Sequence, residues 1–321
     1  MNKVWGYHAG GGGFTNMDAF NSGMRGTYGW PNSMDEYSRI AQTMTYDGER
    51  AMFEAYTRNK YTSTGVIQWM LNNGWPSVIW HLYDYYLQTG GGYFGTKKAC
   101  EPVHVQYSYD DHSIYAVSSL PIATPSLTVL ADVYDIHLKP VFHQTKAIDL
   151  AADGSQRVLD IPAGIFQLEQ SIHFVRLEMK SASGKIISRN FYWIPSKLTQ
   201  FDWAKGDSGY TPAVEYANMQ ALQTLPKSQI RGTLTIAKHV LHIHLENPSD
   251  ALAFQVQVRG FTTDDKPIIP LLWSDDFVEL MPGEHRDIAA ALPAHTDGNR
   301  AMILVSGWNT NTLKLREGLR R

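Results

Sequence analysis

From Val103 onward apolar and polar side chains alternate, and this period of two constrains the fold more than any other feature. Val175, Leu177 and Met179 alternate with Arg176, Glu178 and Lys180, and Ser183-Gly184 then turns the chain into Ile186 to Trp193. Successive side chains of a strand point to opposite faces, so the pattern predicts a hairpin with one apolar and one wet face. The alternation returns at Leu241, Ile243 and Leu245 against His242 and His244, and at Leu252, Phe254, Val256 and Val258 against Gln255, Gln257 and Arg259. A linker from Pro195 to Pro212 separates the two sets. Strands in two groups of roughly 90 to 110 residues predict two antiparallel β-sandwiches. No fixed-period repeat points to a solenoid or propeller.

The chain has a different character before position 112, where Gly and aromatic residues crowd around one long helical pattern. Ser33 with Glu36 three residues later fits a capping box and predicts a helix from about 34 to 59. Tyr37, Ile40, Ala41, Met44, Ala51, Met52 and Ala55 recur at helical spacing and mark its buried face, with Gly48 a weak point between two halves. Gly65 to Leu71 is a short apolar run rich in β-formers, bounded by Asn72-Asn73-Gly74, and predicts a strand buried on both faces.

At 321 residues and 43% hydrophobic, the chain is long enough for two or three domains. A net charge of -3, with no long single-sign run, excludes an electrostatic footprint for nucleic acid or an anionic membrane. With Cys100 the single cysteine, neither an intrachain disulfide nor a zinc-thiolate framework can form. The opening MNKVWGYHAGGGG lacks the pattern of a signal peptide, so the sequence as given predicts a soluble chain without an export signal.

STGVIQWMLNNGWPSVIWHLYDYY followed by GGGYFGTKKACEPVHVQYSYDD resembles the end of the catalytic barrel of glycoside hydrolase family 2, on the branch of exo-β-D-glucosaminidases and related β-mannosidases. The upstream YHAG and RAMFEAYTRNKY resemble the same branch. The resemblance is dense from about 5 to 112 and thin beyond. It implies a multi-domain chain, the C-terminal end of a (β/α)8 barrel followed by two immunoglobulin-like β-sandwiches, with 1–104 as the barrel part and 105–198 and 199–321 as the sandwiches. The implied activity is retaining, exo-acting removal of terminal β-linked glucosamine from chitosan-type oligosaccharides, with β-mannosidase as an alternative and no cofactor or metal. A free-standing carbohydrate-binding protein is a further alternative. The implied parent is secreted or periplasmic.

A retaining glycosidase needs two carboxyl groups about 5 Å apart. In the resembled family the acid/base Glu follows an Asn, and no Asn-Glu dipeptide occurs here. Both catalytic carboxylates are therefore expected upstream, in a missing N-terminal part of the polypeptide, and the chain by itself is expected to be inactive.

Barrel enzymes place their chemistry at the C-terminal ends of the strands, and the loop after the eighth strand begins at Asn72. Sugars present apolar C–H faces rimmed by hydroxyls, which an aromatic platform with amide and carboxylate partners can bind and read. Trp69, Asn72, Asn73, Trp75 and Asp84 are the candidates in this loop, with Tyr7 and His8 added by the resemblance. The alternative is packing: Trp69 and Trp80 as core, Asn72 to Gly74 as turn chemistry, and Trp75-Pro76 as a seat for the following sandwich.

The remaining signals have structural readings. Gly10 to Gly13 is a flexible loop rather than a phosphate cradle, since no strand precedes it. The pairs Asp110-Asp111, Asp264-Asp265 and Asp275-Asp276 read as turns, because neighbours on a strand face opposite sides. His242 and His244 share a strand face but lack a third ligand in register for zinc. Cys100 reads as a buried structural thiol.

Overall fold

The alternating segments form two pairs of antiparallel sheets. In chain order the first seven strands are β1 (Val103–Tyr107), β2 (Ser113–Ser118), β3 (Thr124–Tyr134), β4 (Pro140–Leu150), β5 (Ser155–Asp160), β6 (His173–Lys180) and β7 (Ile186–Ile194). They pair as a three-stranded sheet, β1-β2-β5, and a four-stranded sheet, β4-β3-β6-β7. Their inward faces share one core, in which Val105, Ile114 and Ala116 meet Val129, Ala131, Val133, Val175 and Leu177. The computed structural model describes residues 3–9, 17–78, 81–206 and 210–318. It divides into two compact units, Met1–Gln68 with Gly95–Thr224 and Trp69–Phe94 with Leu225–Arg321.

The outer face of β6 is less wet than the alternation predicts. Glu178 is only 4% exposed, held by Arg176 Nη2 at 2.7 Å and Lys180 Nζ at 2.8 Å. Paired charges make its burial tolerable. The linker also contains structure, a short ribbon of β8 (Gln200–Phe201) and β9 (Ala213–Glu215).

The second unit repeats the design with β10 (Arg231–Ala237), β11 (Val240–Glu246), β12 (Ala253–Thr262), β13 (Val278–Leu280), β14 (His285–Ala291), β15 (Ala301–Ser306) and β16 (Leu313–Leu315). The sheets are β10-β11-β14 and β13-β12-β15-β16. Leu241, Ile243 and Leu245, and Phe254, Val256 and Val258, are buried as the alternation requires. Asp264 and Asp265 fall in a turn, but Asp276 does not stay in solvent. It is 2% exposed, and its Oδ1 accepts the backbone N–H groups of Val258 and Phe277 at 2.8 and 3.0 Å. Burial pushes its carboxyl well above the usual carboxylate range, against those two hydrogen bonds.

Among the described residues four α-helices precede the strands: α1 (Lys3–Tyr7), α2 (Asp18–Tyr28), α3 (Met34–Arg58) and α4 (Gly91–Ala99). α3 starts at Ser33, whose hydroxyl accepts the Glu36 N–H at 3.1 Å. The returning arm of the capping box is shifted by one residue, since Glu36 Oε2 accepts the Asn32 N–H at 2.8 Å. The helix runs unbroken through Gly48. Its buried face is partly the one expected, with Tyr37 and Ile40, but Met52 is exposed and Glu49, Arg50 and Glu54 are buried instead. No described helix is long and apolar enough to cross a membrane.

Gly65 to Leu71 is not a strand in this chain. It pairs with no sheet, and Ile67 is 88% exposed. A strand needs neighbours to take its N–H and C=O groups, and none flanks this run among the described residues.

Candidate functional site

Two regions concentrate side chains of candidate function. One is the aromatic loop, which belongs to the second unit. Tyr83 N–H donates to Leu71 O at 3.0 Å, closing a loop over residues 72–82 that carries Asn72, Asn73 and Trp75. Asp84 follows at its exit, and Trp69 precedes its entrance. The backbone bond thus holds three of the predicted site residues on one loop, with Trp69 and Asp84 flanking its closed neck in sequence. Trp69 is 72% exposed rather than core, Trp75 sits at 37%, Asn72 is exposed and Asn73 half-buried.

Asp84 is half-buried and already engaged. Its Oδ1 accepts the N–H groups of Tyr86 at 2.8 Å and Gln88 at 2.9 Å, while its own N–H donates to Gln88 O. This is an Asx-type turn that fixes the tip of the loop, where Tyr85 and Tyr86 pack edge to face at 5.1 Å. Behind the tip, Tyr83 stacks edge-on against Tyr93 at 5.2 Å, and Tyr93 against Phe94 at 5.0 Å. Phe94 in turn lies 5.9 Å from Phe277 of the second sandwich. Burial and the Tyr83 hydroxyl raise the Tyr93 phenol above its ordinary value. The loop therefore exposes aromatic faces on a support of packed aromatic rings.

A shallow pocket of about 60 Å³ opens between Gln88, Thr89 and β12, with Arg259, Trp273 and Asp276 in its lining. Ligand pockets run to about 300 Å³ or more, so this one is too small for a sugar ring.

Tyr7 and His8 belong to the first unit, at the end of α1, with their rings edge to face at 5.2 Å. Tyr7 is exposed and His8 half-buried. Gly10 to Gly13 and Trp80 lie outside the described residues. Cys100 is exposed, not buried, at the C-terminal end of α4.

His244 pairs with Asp287 across β11 and β14, Nδ1 to Oδ1 2.7 Å, and with Glu246 at 3.2 Å, which holds its imidazole above the ordinary pKa. His242 takes no part in that set. Asp110 accepts Arg58 through both oxygens, at 2.6 and 3.0 Å, in the turn between β1 and β2.

The second region was not singled out in the sequence: a charged seam between α3 and the first sandwich. β1 and β7 are the edges of their sheets, where backbone groups would otherwise face outward. α3 covers them. Arg50 Nη1 donates to Phe191 O at 2.5 Å and to Asn190 Oδ1 at 3.0 Å, and Nη2 to Asp47 at 2.8 Å. Its guanidinium lies 4.0 Å from the Tyr192 ring centroid. Burial works against the Arg50 charge, but Tyr109 and Asp47 hold its pKa above the ordinary value.

One turn further along α3, Glu54 Oε1 accepts Asn190 Nδ2 at 2.7 Å and Tyr192 OH at 2.8 Å, and His104 Nε2 lies 2.8 Å away. His104 Nδ1 faces Glu101 Oε2 at 3.3 Å, and Glu101 also takes Lys98 and the Ser188 hydroxyl. A sequence signal was available: Tyr46, Arg50 and Glu54 recur every four residues on a face that otherwise reads as apolar.

Comparison with known proteins agrees with this architecture. The family "Exo-beta-D-glucosaminidase Ig-fold domain" matches residues 209–310, and "Mannosidase Ig/CBM-like domain" matches residues 110–196. Over 311 residues, 92% of the chain, the sequence is 33% identical to an exo-beta-D-glucosaminidase of Streptomyces avermitilis, of which it covers 34%. It is 31% identical to that of Amycolatopsis orientalis over 313 residues, covering 93% of this chain and 30% of the relative. The crystal structure of Amycolatopsis orientalis exo-chitosanase CsxA superposes with a TM-score of 0.89 at 30% identity, over 97% of this chain and 38% of that one. A β-D-mannosidase from Dictyoglomus thermophilum shares the fold, with a TM-score of 0.71 at 15% identity over 96% of this chain and 34% of that one. The chain spans about a third of the length of the curated relatives it matches. Its two sandwiches are the immunoglobulin-like domains of the exo-β-D-glucosaminidases, and with them the chain belongs to glycoside hydrolase family 2.

Proposed function

We propose that this chain is part of a retaining, exo-acting glycoside hydrolase that removes terminal β-linked glucosamine from chitosan-type oligosaccharides. The observation that carries this reading is continuity. The 33% identity to a protein named exo-beta-D-glucosaminidase runs over 311 residues, too many to come from the two sandwiches alone. A superposing exo-chitosanase was solved in complex with PNP-β-D-glucosamine, an aryl glycoside of that sugar.

In this reading residues 1–104 are the end of a (β/α)8 catalytic domain, 105–198 the first sandwich and 199–321 the second with its linker. α3 is the seventh barrel helix, and 65–71 is the eighth strand once barrel strands flank it. The exposed side chains of Ile67 and Leu71, with no strand flanking the run among the described residues, support this, because an apolar run of that kind is buried only once neighbouring strands cover it. The loop from Asn72 then lies at the C-terminal end of a barrel strand, where substrate binds. Trp69 and Trp75 offer apolar faces to the sugar, and Asn72 and Asn73 read its hydroxyls, with the second oxygen of Asp84 as a further contact; Tyr7 and His8 of the first unit are candidates by the family resemblance alone. The two carboxyl groups of the double displacement come from polypeptide outside these 321 residues.

β-Mannosidase is the second reading, favoured by the match of residues 110–196 to the mannosidase Ig/CBM-like family. One experiment separates the two: residues 1–321 and a polypeptide that also contains the whole barrel are assayed side by side on aryl β-glucosaminide and aryl β-mannoside. The longer polypeptide is expected to prefer the glucosaminide, and residues 1–321 to turn over neither. A mannoside preference would move the assignment to the second reading. Turnover by residues 1–321 at a comparable rate would overturn the placement of the carboxylates, and turnover by neither preparation would overturn the glycosidase reading.

A further inference from the structure

We propose that His104 is a proton-dependent clamp, set between Glu54 of α3 and Glu101 ahead of β1, that fixes α3 on the open edge of the first sandwich when protonated and loosens it when neutral. The geometry demands two donors from one ring. Nε2 faces Glu54 Oε1 at 2.8 Å and Nδ1 faces Glu101 Oε2 at 3.3 Å. A neutral imidazole carries a single N–H, so one of its nitrogens would present a lone pair to a carboxylate lone pair. Water reaches the set only at Glu101, whose side chain is 29% exposed, since those of His104 and Glu54 are 1% and 2% exposed.

Of the groups around the ring, His104 is the one whose ordinary pKa lies nearest neutrality. From α3, Arg50 stays charged and is paired with Asp47, and Thr57 is bonded to Gln106 of β1. From β7 come Asn190, Ser188 and the Tyr192 hydroxyl, whose pKa burial and Glu54 push far up. From α4, Lys98 pairs with Glu101. Burial opposes the Glu101 charge, but His104 and Lys98 bring its pKa down to about 2, so it remains a carboxylate. Glu54, Glu101, Lys98 and protonated His104 carry no net charge together. Loss of the His104 proton leaves one uncompensated negative charge in a set whose Glu54 end is closed to solvent, a cost that detachment of α3 relieves by readmitting water there.

The direction of the pH effect follows. Burial pushes the imidazole pKa down, but the hydrogen bonds to Glu101 and Glu54 more than offset it, so the folded value lies above the ordinary 6.5. A raised folded value means that the stabilisation is complete below the ordinary pKa and is lost as pH rises through the folded one. Glu49, also on α3, is pushed up to about 7 by burial and acts in the same direction, so the test must separate the two.

The experiment uses residues 1–321 carrying Glu49→Gln. The midpoint of His104 is followed by NMR of the imidazoles, assigned with His104→Gln. Hydrogen exchange of α3 amides is measured from about pH 6 to 9, corrected for intrinsic exchange and referred to amides of β3 and β6. We expect protection of α3 to fall several-fold through the His104 midpoint, and His104→Gln to abolish that dependence. Glu101→Gln, which keeps the ring and the α3 contacts, should lower the His104 midpoint. A midpoint below about 6, or α3 protection that tracks β3 and β6 at every pH, would overturn the clamp.

Discussion

Arg50 and Glu54 of α3 are 0% and 1% exposed, whereas Ile67 and Trp69, further along the same chain, are 88% and 72% exposed. The two regions invert the usual relation between polarity and burial, and for one reason. The edges of β1 and β7 offer Phe191 O, Asn190, Tyr192 and His104 as partners, so charged groups can leave water there. The run at 65–71 has apolar side chains but no flanking strand to pair its backbone among the described residues. Burial follows the supply of partners, and hydropathy alone predicts neither region.

The sharpest way to break this contrast is to remove a partner from the buried side. Glu54→Ala would leave His104, Asn190 and Tyr192 without their shared acceptor, and breaking such a buried set costs about 3–5 kcal/mol. Glu54→Gln keeps the shape and an acceptor oxygen and should cost less than half of that. Urea denaturation of residues 1–321 measures both. A Glu54→Ala variant no less stable than one altered at Trp69 would refute the comparison.

Next in size are two glycines near the same helix. A Cβ at Gly95 would sit 2.2 Å from the Tyr46 carbonyl oxygen, and backbone cannot step aside cheaply. Gly95→Ala should therefore cost about 1–3 kcal/mol. At Gly48, exposed in the middle of α3, a Cβ meets nothing within 4 Å. Gly48→Ala should stabilise by about 0.5–1 kcal/mol through the unfolded chain and helix propensity. Thermal melts of the pair report opposite signs if α4 packs on α3 as described.

A smaller effect follows from Glu49, whose carboxyl burial pushes up to about 7. Its folded value exceeds the unfolded one, so folding favours the protonated form and stability falls as pH rises from about 4.5 through 7. Glu49→Gln should flatten the pH dependence of unfolding across that window by about 1 kcal/mol, a figure discounted for the solvent that still reaches the group.

How far the sequence alone reveals this structure depends on whether a residue's surroundings are local. Leu241, Ile243 and Leu245 were legible because one face of β11 meets a core and the period of two records it. Ser33 was legible because a cap is a contact three residues long. α4 was not, since Gly91, Gly92 and Gly95 argue against a helix and only the close approach to Tyr46 explains Gly95. Arg50 and Glu54 were passed over because their partners lie some 140 residues away in β7. In the aromatic segment the sequence marked Trp69, Asn72, Asn73, Trp75 and Asp84, but not that a Leu71 to Tyr83 backbone bond closes a loop around the middle three.

The smallest expected change in stability is at Trp69. A side chain 72% exposed has little burial to lose, and surface substitutions of this kind stay within about 0.5 kcal/mol. Asp84→Ala should cost more, about 1 kcal/mol, because Oδ1 would no longer hold the Tyr86 and Gln88 N–H groups. If the loop serves a sugar subsite, the order reverses for catalysis in the polypeptide that contains the barrel. Trp69→Ala or Trp75→Ala would then remove a stacking face worth about 1–3 kcal/mol, a fall of roughly 5- to 150-fold in kcat/KM with Tm nearly unchanged. Measuring both quantities on the same preparations decides the matter. A Trp69→Ala variant with unaltered kcat/KM and a lowered Tm would show that its exposed face is covered by packing in the longer polypeptide, and would move it from the sugar site to the barrel wall.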